Sequence, residues 1–152
     1  MKYSFDTSAF INPWRNLYPI KVFPSLWGEL DRLMNQGDLV ATEMVLHELE
    51  HKDDELLQYM RQRDFIFIAV DEEQLESVAE ILGLFPRFAR ADATREVADV
   101  FVVALAQKHN LVVVSDEQLP RRGKVKIPEV CSQFGVECVT FLAFLGDIGL
   151  VL

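Results

Sequence analysis

The chain has 152 residues, enough for one domain with a substantial core. Half of them are hydrophobic and 26% are charged, which excludes a disordered chain, and no apolar run approaches the length of a membrane-spanning helix. A net charge of −9 argues against broad nonspecific nucleic-acid binding, which needs clustered Lys and Arg, but leaves room for a nuclease whose acids are neutralised by metal.

The elements are predicted in the order strand, helices, strand, helix, helix, strand. Residues 2–5 read as a short strand that ends at an Asp6-Thr7-Ser8 turn. An acid interrupts this N-terminal segment before any apolar region forms, so it does not read as a signal peptide. Pro24 opens a helix to about Asn35, with Leu26, Trp27, Leu30, Leu33 and Met34 on one face, and Gly37 is placed to end it. Leu39 to Ala41 suits a short strand. Thr42 is a candidate N-cap for a helix from Glu43 to His51, and Asp53 for one to about Arg63. The run Phe65 to Val70 is β-rich. Asp71 caps a helix to about Leu84, Pro86 to Ala93 is a loop, and Thr94 caps a helix that carries Asp99 and ends near Asn110. Leu111 to Val114 is a buried strand. Pro128 fits the first turn of a helix to about Phe134, stopped by Gly135. Glu137 to Thr140 suits a strand, and Phe141 to Ile148 an apolar helix. This alternation predicts an α/β sandwich with a largely parallel sheet, whose sites form at the carboxyl ends of strands. Cys131 and Cys138 are too few for a disulfide framework and read as reduced thiols.

Four acidic positions stand at the edges of apolar segments. Asp6 follows residues 2–5, Glu48 follows Val45-Leu46, Asp99 precedes the run Val100 to Ala106, and Asp116-Glu117 follow Leu111 to Val114 and Ser115. Carboxylates at the edges of buried elements are costly unless a cation compensates them. With no basic partner expected in the same segments, their convergence points to a divalent metal, and hard oxygen ligands suit Mg²⁺ or Mn²⁺.

These residues resemble the PIN-domain family of metal-dependent ribonucleases. The matching pieces are Phe5-Asp6-Thr7-Ser8, Val45-Leu46-His47-Glu48-Leu49, Ala98-Asp99 with the apolar run behind it, and Val113-Val114-Ser115-Asp116-Glu117. The later residues 126–131 look like a segment of the toxin-like VapC branch of that family. The resemblance spans most of the chain and implies a single PIN-like α/β/α domain over residues 1–152. It implies a cytoplasmic endoribonuclease in which Asp6, Glu48, Asp99 and Glu117 hold one or two Mg²⁺ or Mn²⁺ ions that activate water for RNA phosphodiester cleavage. The usual fourth motif, Thr-x-Asp, appears here as Ser-x-Glu, which makes Glu117 the formal match. Adjacent side chains on an extended strand end point oppositely, so Asp116 is the competing candidate. Thr7, Ser8 and Ser115 are candidate hydrogen-bond partners for an acid or a phosphate, and Glu96, three residues before Asp99, is an auxiliary acid. As partners the resemblance implies an RNA substrate, a protein antitoxin and a homodimer. The densest basic cluster, Arg121, Arg122, Lys124 and Lys126, lies within six residues and is a candidate RNA-binding loop, with a solvated loop as the equal alternative.

Each piece also has a plain structural reading. Asp6 suits an Asx turn, Glu48 a solvated acidic run with Glu43, Glu50, Asp53, Asp54 and Glu55, and Asp99 an ion pair with Arg95. Asp116 and Glu117 suit an ordinary loop. A rival motif, His47-Glu48-Leu49-Glu50-His51, has the H-E-x-x-H spacing of a zinc metallopeptidase, with His109 the one further histidine. A third reading is a catalytically inert PIN fold that serves as a binding module.

Overall fold

The structure, a computed structural model, describes residues 1–88, 97–117 and 125–152. Its centre is a five-stranded parallel sheet of β1 (Tyr3–Phe5), β2 (Leu39–Thr42), β3 (Phe67–Ile68), β4 (Val112–Val114) and β5 (Cys138–Val139). The strand order is β3-β2-β1-β4-β5. The chain therefore builds outward from β1 on one side, then returns to β1 and builds outward on the other. The boundary between β1 and β4 is the switch point of the sheet, and crevices open beyond the carboxyl ends of strands there. Asp6 follows β1, and residues 115–117 follow β4.

Among the described residues eight α-helices flank the sheet: α1 (Thr7–Asn12), α2 (Pro24–Asn35), α3 (Glu43–Leu49), α4 (Asp54–Arg61), α5 (Glu72–Leu84), α6 (Val97–His109), α7 (Ile127–Gln133) and α8 (Phe141–Asp147). Local chemistry sets most of their ends. Thr42, Asp53 and Asp71 accept hydrogen bonds from the backbone amides of Met44, Leu56 and Gln74, the N-cap arrangement that their sequence positions predict. Gly37 and Gly135 have φ of +79° and +65°, the left-handed conformation that closes α2 and α7. The core is one contiguous cluster, in which Phe5, Phe10, Phe141 and Phe144 are fully buried. The Phe5 and Phe144 rings meet edge to face with centroids 5.0 Å apart, so the strand that delivers Asp6 is anchored among packed aromatic rings. Ser4 Oγ donates to the Val102 carbonyl at 3.2 Å and fixes α6, the helix of Asp99, to β1.

Four expectations change. The chain after Asp6 is not a turn: it enters α1 and then a π-helical turn, Pro13–Leu17, closed by the Tyr18 amide on the Pro13 carbonyl at 2.8 Å. Pro13 lacks the amide that an α-helix would use, and the sequence reading assigns no element to this stretch. The strand in residues 65–70 shrinks to Phe67–Ile68, because Asp64–Ile66 forms a 3-10 turn and the Val70 amide is taken by Glu43 Oε1 at 2.9 Å. Helix α3 stops at Leu49 rather than His51. The strand expected to reach Thr140 stops at Val139, and Thr140 instead caps α8 through the Ala143 amide. The Thr94 cap, Arg95, Glu96, Arg121, Arg122 and Lys124 lie outside the described residues, as does most of the loop from Pro86 to Ala93.

Candidate metal centre

Asp6 is 2% exposed and stands where β1 gives way to α1. Its amide donates to the Val114 carbonyl at 2.9 Å, which locks the end of β1 to the end of β4. Ser8 Oγ donates to Asp6 Oδ2 at 2.6 Å, and Ser115 Oγ donates to the same oxygen at 3.2 Å. Both serines therefore serve Asp6 directly. Their hydroxyls orient the carboxylate without neutralising it.

Carboxylate oxygens of Asp6, Asp99 and Glu117 lie within 4.8 Å of one another. They arrive from three separate segments: the end of β1, helix α6 and the chain beyond β4. Burial and repulsion act together on them. Desolvation, opposed by the Ser8 hydrogen bond and reinforced by the charges of Glu117 and Glu48, pushes Asp6 up to about 6. Desolvation first, then Asp6 and Glu117, push Asp99 up to about 10. Both shifts favour the protonated form of the cluster. The donor set is all carboxylate, with no thiolate or imidazole, which fits a hard cation such as Mg²⁺ or Mn²⁺.

The two acids after β4 separate cleanly. Asp116 Oδ1 accepts the Phe141 amide at 2.8 Å, and Oδ2 accepts Asn12 Nδ2 at 3.1 Å. Asp116 is thus committed to α8 and α1, and both oxygens are occupied. Glu117 joins the trio, and its Oε2 also accepts the Ile127 amide at 3.1 Å, which ties it to the start of α7.

Glu48 lines the same cavity but stands apart from the trio. Thr7 Oγ1 donates to Glu48 Oε2 at 2.9 Å, and Lys52 Nζ lies 2.7 Å from Oε1. The expectation of no basic partner is therefore wrong for Glu48. Lys52 is four residues on, a spacing at which the sequence already shows the pair. The H-E-x-x-H reading also fails on geometry. Its helix ends at Leu49, so His47 and His51 do not share a helical face, and both are exposed while Glu48 turns inward. His109 is exposed at the far end of α6.

The cavity encloses about 390 Å³, with the acids inside and Arg15, Lys52, Arg87 and Lys126 in its lining. Of the predicted basic cluster, only Lys126 is among the described residues. Arg15, Asn12 and Asn16 were not anticipated, because they belong to the helical and π-helical stretch that the sequence hid.

The fold is that of the PIN-like α/β/α structures, as the resemblance implied. VapBC2 from Rickettsia felis, solved with a DNA fragment from its promoter, superposes with a TM-score of 0.54 at 14% identity, covering 92% of this chain and 98% of that one. FitAcB from Neisseria gonorrhoeae gives 0.55 at 15% identity over 92% and 98% of the two chains, and PAE2754 from Pyrobaculum aerophilum gives 0.51 at 12% over 98% and 97%. Among curated proteins no sequence matches the chain. Residues 3–151 match the family described as "Domain of unknown function (DUF4411)", and the chain belongs to that family.

Proposed function

We propose that the protein is a Mg²⁺- or Mn²⁺-dependent endoribonuclease that cleaves RNA phosphodiester bonds and acts in the cytoplasm as the toxin of a toxin–antitoxin pair. The observation that carries this reading is the convergence of Asp6, Asp99 and Glu117 at the switch point of a parallel sheet, with burial and mutual repulsion raising the proton affinity of two of the three. Buried like charges in close approach are destabilising by themselves, and a divalent cation is the partner that makes them favourable.

In this reading Asp6, Asp99 and Glu117 are the inner ligands, and Glu48 is the fourth acid at the cavity wall. Ser8 and Ser115 orient Asp6, and Thr7 orients Glu48. The bound cation would supply a water of lowered pKa and neutralise charge on the phosphate. The basic lining offers contacts to the RNA backbone beside an acidic centre that would otherwise repel it. The toxin role, the antitoxin partner and a homodimeric assembly draw on the likeness of fold to VapBC2 and FitAcB.

Purified protein incubated with structured and single-stranded RNAs tests the reading. Cleavage is expected with Mn²⁺ or Mg²⁺ and none with a chelator. Metal-independent cleavage, or none by any antitoxin-free preparation under any divalent ion, would sink it; retained RNA binding without cleavage would favour the inert binding module.

A further inference from the structure

Among the described acids of the cavity Glu48 alone carries an ion pair to a lysine, and the fold fixes the backbone of that partner. Lys52 stands beyond α3, in the turn before α4. Arg15 fastens that turn from the π-helical segment: its guanidinium donates to the Lys52 carbonyl and, at 2.7 Å, to Asp53 Oδ2. Asp53 in turn caps α4 through the Leu56 amide at 3.0 Å. The backbone of Lys52 is therefore held from both sides. Its side chain is not: it is 38% exposed, against 9% for Glu48. Of the two partners, Lys52 is the one that can leave.

We infer that Lys52 is an exchangeable counter-ion, which neutralises Glu48 while no cation is bound and turns to a phosphate oxygen of the substrate when a divalent ion takes over Glu48. The inference rests on the nuclease reading proposed above. Both ends of the exchange follow from the chemistry in the cavity. Glu48 adds to the repulsion that raises Asp6 and Asp99, so it belongs to the same electrostatic centre, and a lysine there lowers the cost of leaving that centre empty. A partly exposed ion pair is weak enough to break readily. An ammonium on a flexible four-carbon stem then has a second anion within its cavity, the incoming phosphate, which it binds as a point charge. Lys52 is thus a competitor of the metal and a ligand of the substrate, two roles of opposite sign.

The opposite signs make the test. Calorimetry with Mn²⁺ alone compares wild type with Lys52→Gln and Lys52→Arg. A second titration uses adenosine 5′-monophosphate in saturating Mn²⁺, a phosphate with no phosphodiester to cleave. Expected for Lys52→Gln is several-fold tighter Mn²⁺ binding together with several-fold weaker nucleotide binding, with nucleotide affinity regained in Lys52→Arg. A merely structural lysine would weaken both affinities or change neither, and either result overturns the inference. Wild-type protein that takes up no Mn²⁺ would overturn the metal reading itself, which is a separate and visible failure.

Discussion

Two groups of acids in one cavity are treated in opposite ways. Asp6, Asp99 and Glu117 are carboxylates that receive hydroxyl and amide hydrogen bonds but no ion pair among the described residues. Glu48, in the same cavity, has a hydroxyl on one oxygen and an ammonium on the other. Asp116, one residue from Glu117, is satisfied entirely by amides. The difference teaches where the fold stores unfavourable energy. A carboxylate that serves structure is given its partners within the chain, whereas the trio has no cationic partner among the described residues.

The sharpest way to break that comparison is to neutralise the trio. Asp99→Asn and Asp6→Asn are expected to abolish Mn²⁺ binding and RNA cleavage, since each removes a charge that the proposed ion needs. Both variants should nevertheless fold and, in chelator, melt later than wild type. For Asp99→Asn the expected gain at neutral pH is about 2 kcal/mol, because a carboxyl that resists ionisation this strongly destabilises the folded state by linkage. Thermal unfolding with and without Mn²⁺ measures both halves. Variants that melt earlier in chelator would show that the trio is compensated after all.

The same asymmetry has a pH signature. Asp6 and Asp99 hold protons more tightly folded than unfolded, with values raised to about 6 and about 10. The folded state therefore binds more protons than the unfolded state between the ordinary carboxylate range and those values. Their contribution is fully present below the unfolded pKa and is lost as pH rises through that window. Metal-free wild type should lose stability relative to Asp99→Asn between about pH 5 and about pH 9, and saturating Mn²⁺ should remove the difference. Parallel pH profiles in chelator would count against the raised values.

Much of this was legible in the sequence, and the reasons are specific. The strand positions follow from short apolar runs that turn signals interrupt, and the caps at Thr42, Asp53 and Asp71 are local chemistry that needs no tertiary context. The proximity of Asp6, Asp99 and Glu117 rests on a strand, a helix and a loop brought together by topology, which the places of these acids at segment edges suggested and a family pattern sharpened. What stayed hidden lies where backbone and side chains depart from simple periods. The π-helical turn at Pro13 concealed Asn12 and Arg15, and the early stop of α3 dissolved a histidine pair that looked helical in one dimension. Lys52 stood in plain view, four residues from Glu48, but it lies past the apolar segment that Glu48 follows, where compensation for a buried-edge carboxylate is least expected.

A smaller effect separates the neighbours Asp116 and Glu117. Glu117→Gln should weaken Mn²⁺ binding and cleavage. Asp116→Asn should leave Mn²⁺ affinity close to wild type and cost about 1–2 kcal/mol of stability, the scale for disturbing hydrogen bonds to a charged acceptor at a helix start. Calorimetry and chemical denaturation of the two variants give the ranking. If Asp116→Asn proves more damaging to metal binding, the division between a structural and a ligand acid is drawn at the wrong residue.

The smallest expected effect concerns the rim that must bring an anion to an acidic centre. Arg87 is exposed and Lys126 half-buried at the start of α7; both line the cavity, and neither forms an ion pair among the described residues. Arg15 is different, since it is spent on Asp53 and the Lys52 carbonyl. If Arg87 and Lys126 meet the RNA backbone, replacing either with Ala should weaken RNA binding modestly and flatten its salt dependence by about 0.7 log units per log unit of salt for each phosphate that is no longer neutralised. Mn²⁺ affinity should be unchanged, because neither residue belongs to the trio. Binding of a single-stranded RNA measured across a salt series decides the matter. An unaltered slope in the double variant would confine the cations that recruit RNA to elsewhere on the surface and leave this rim a solvated edge of the cavity.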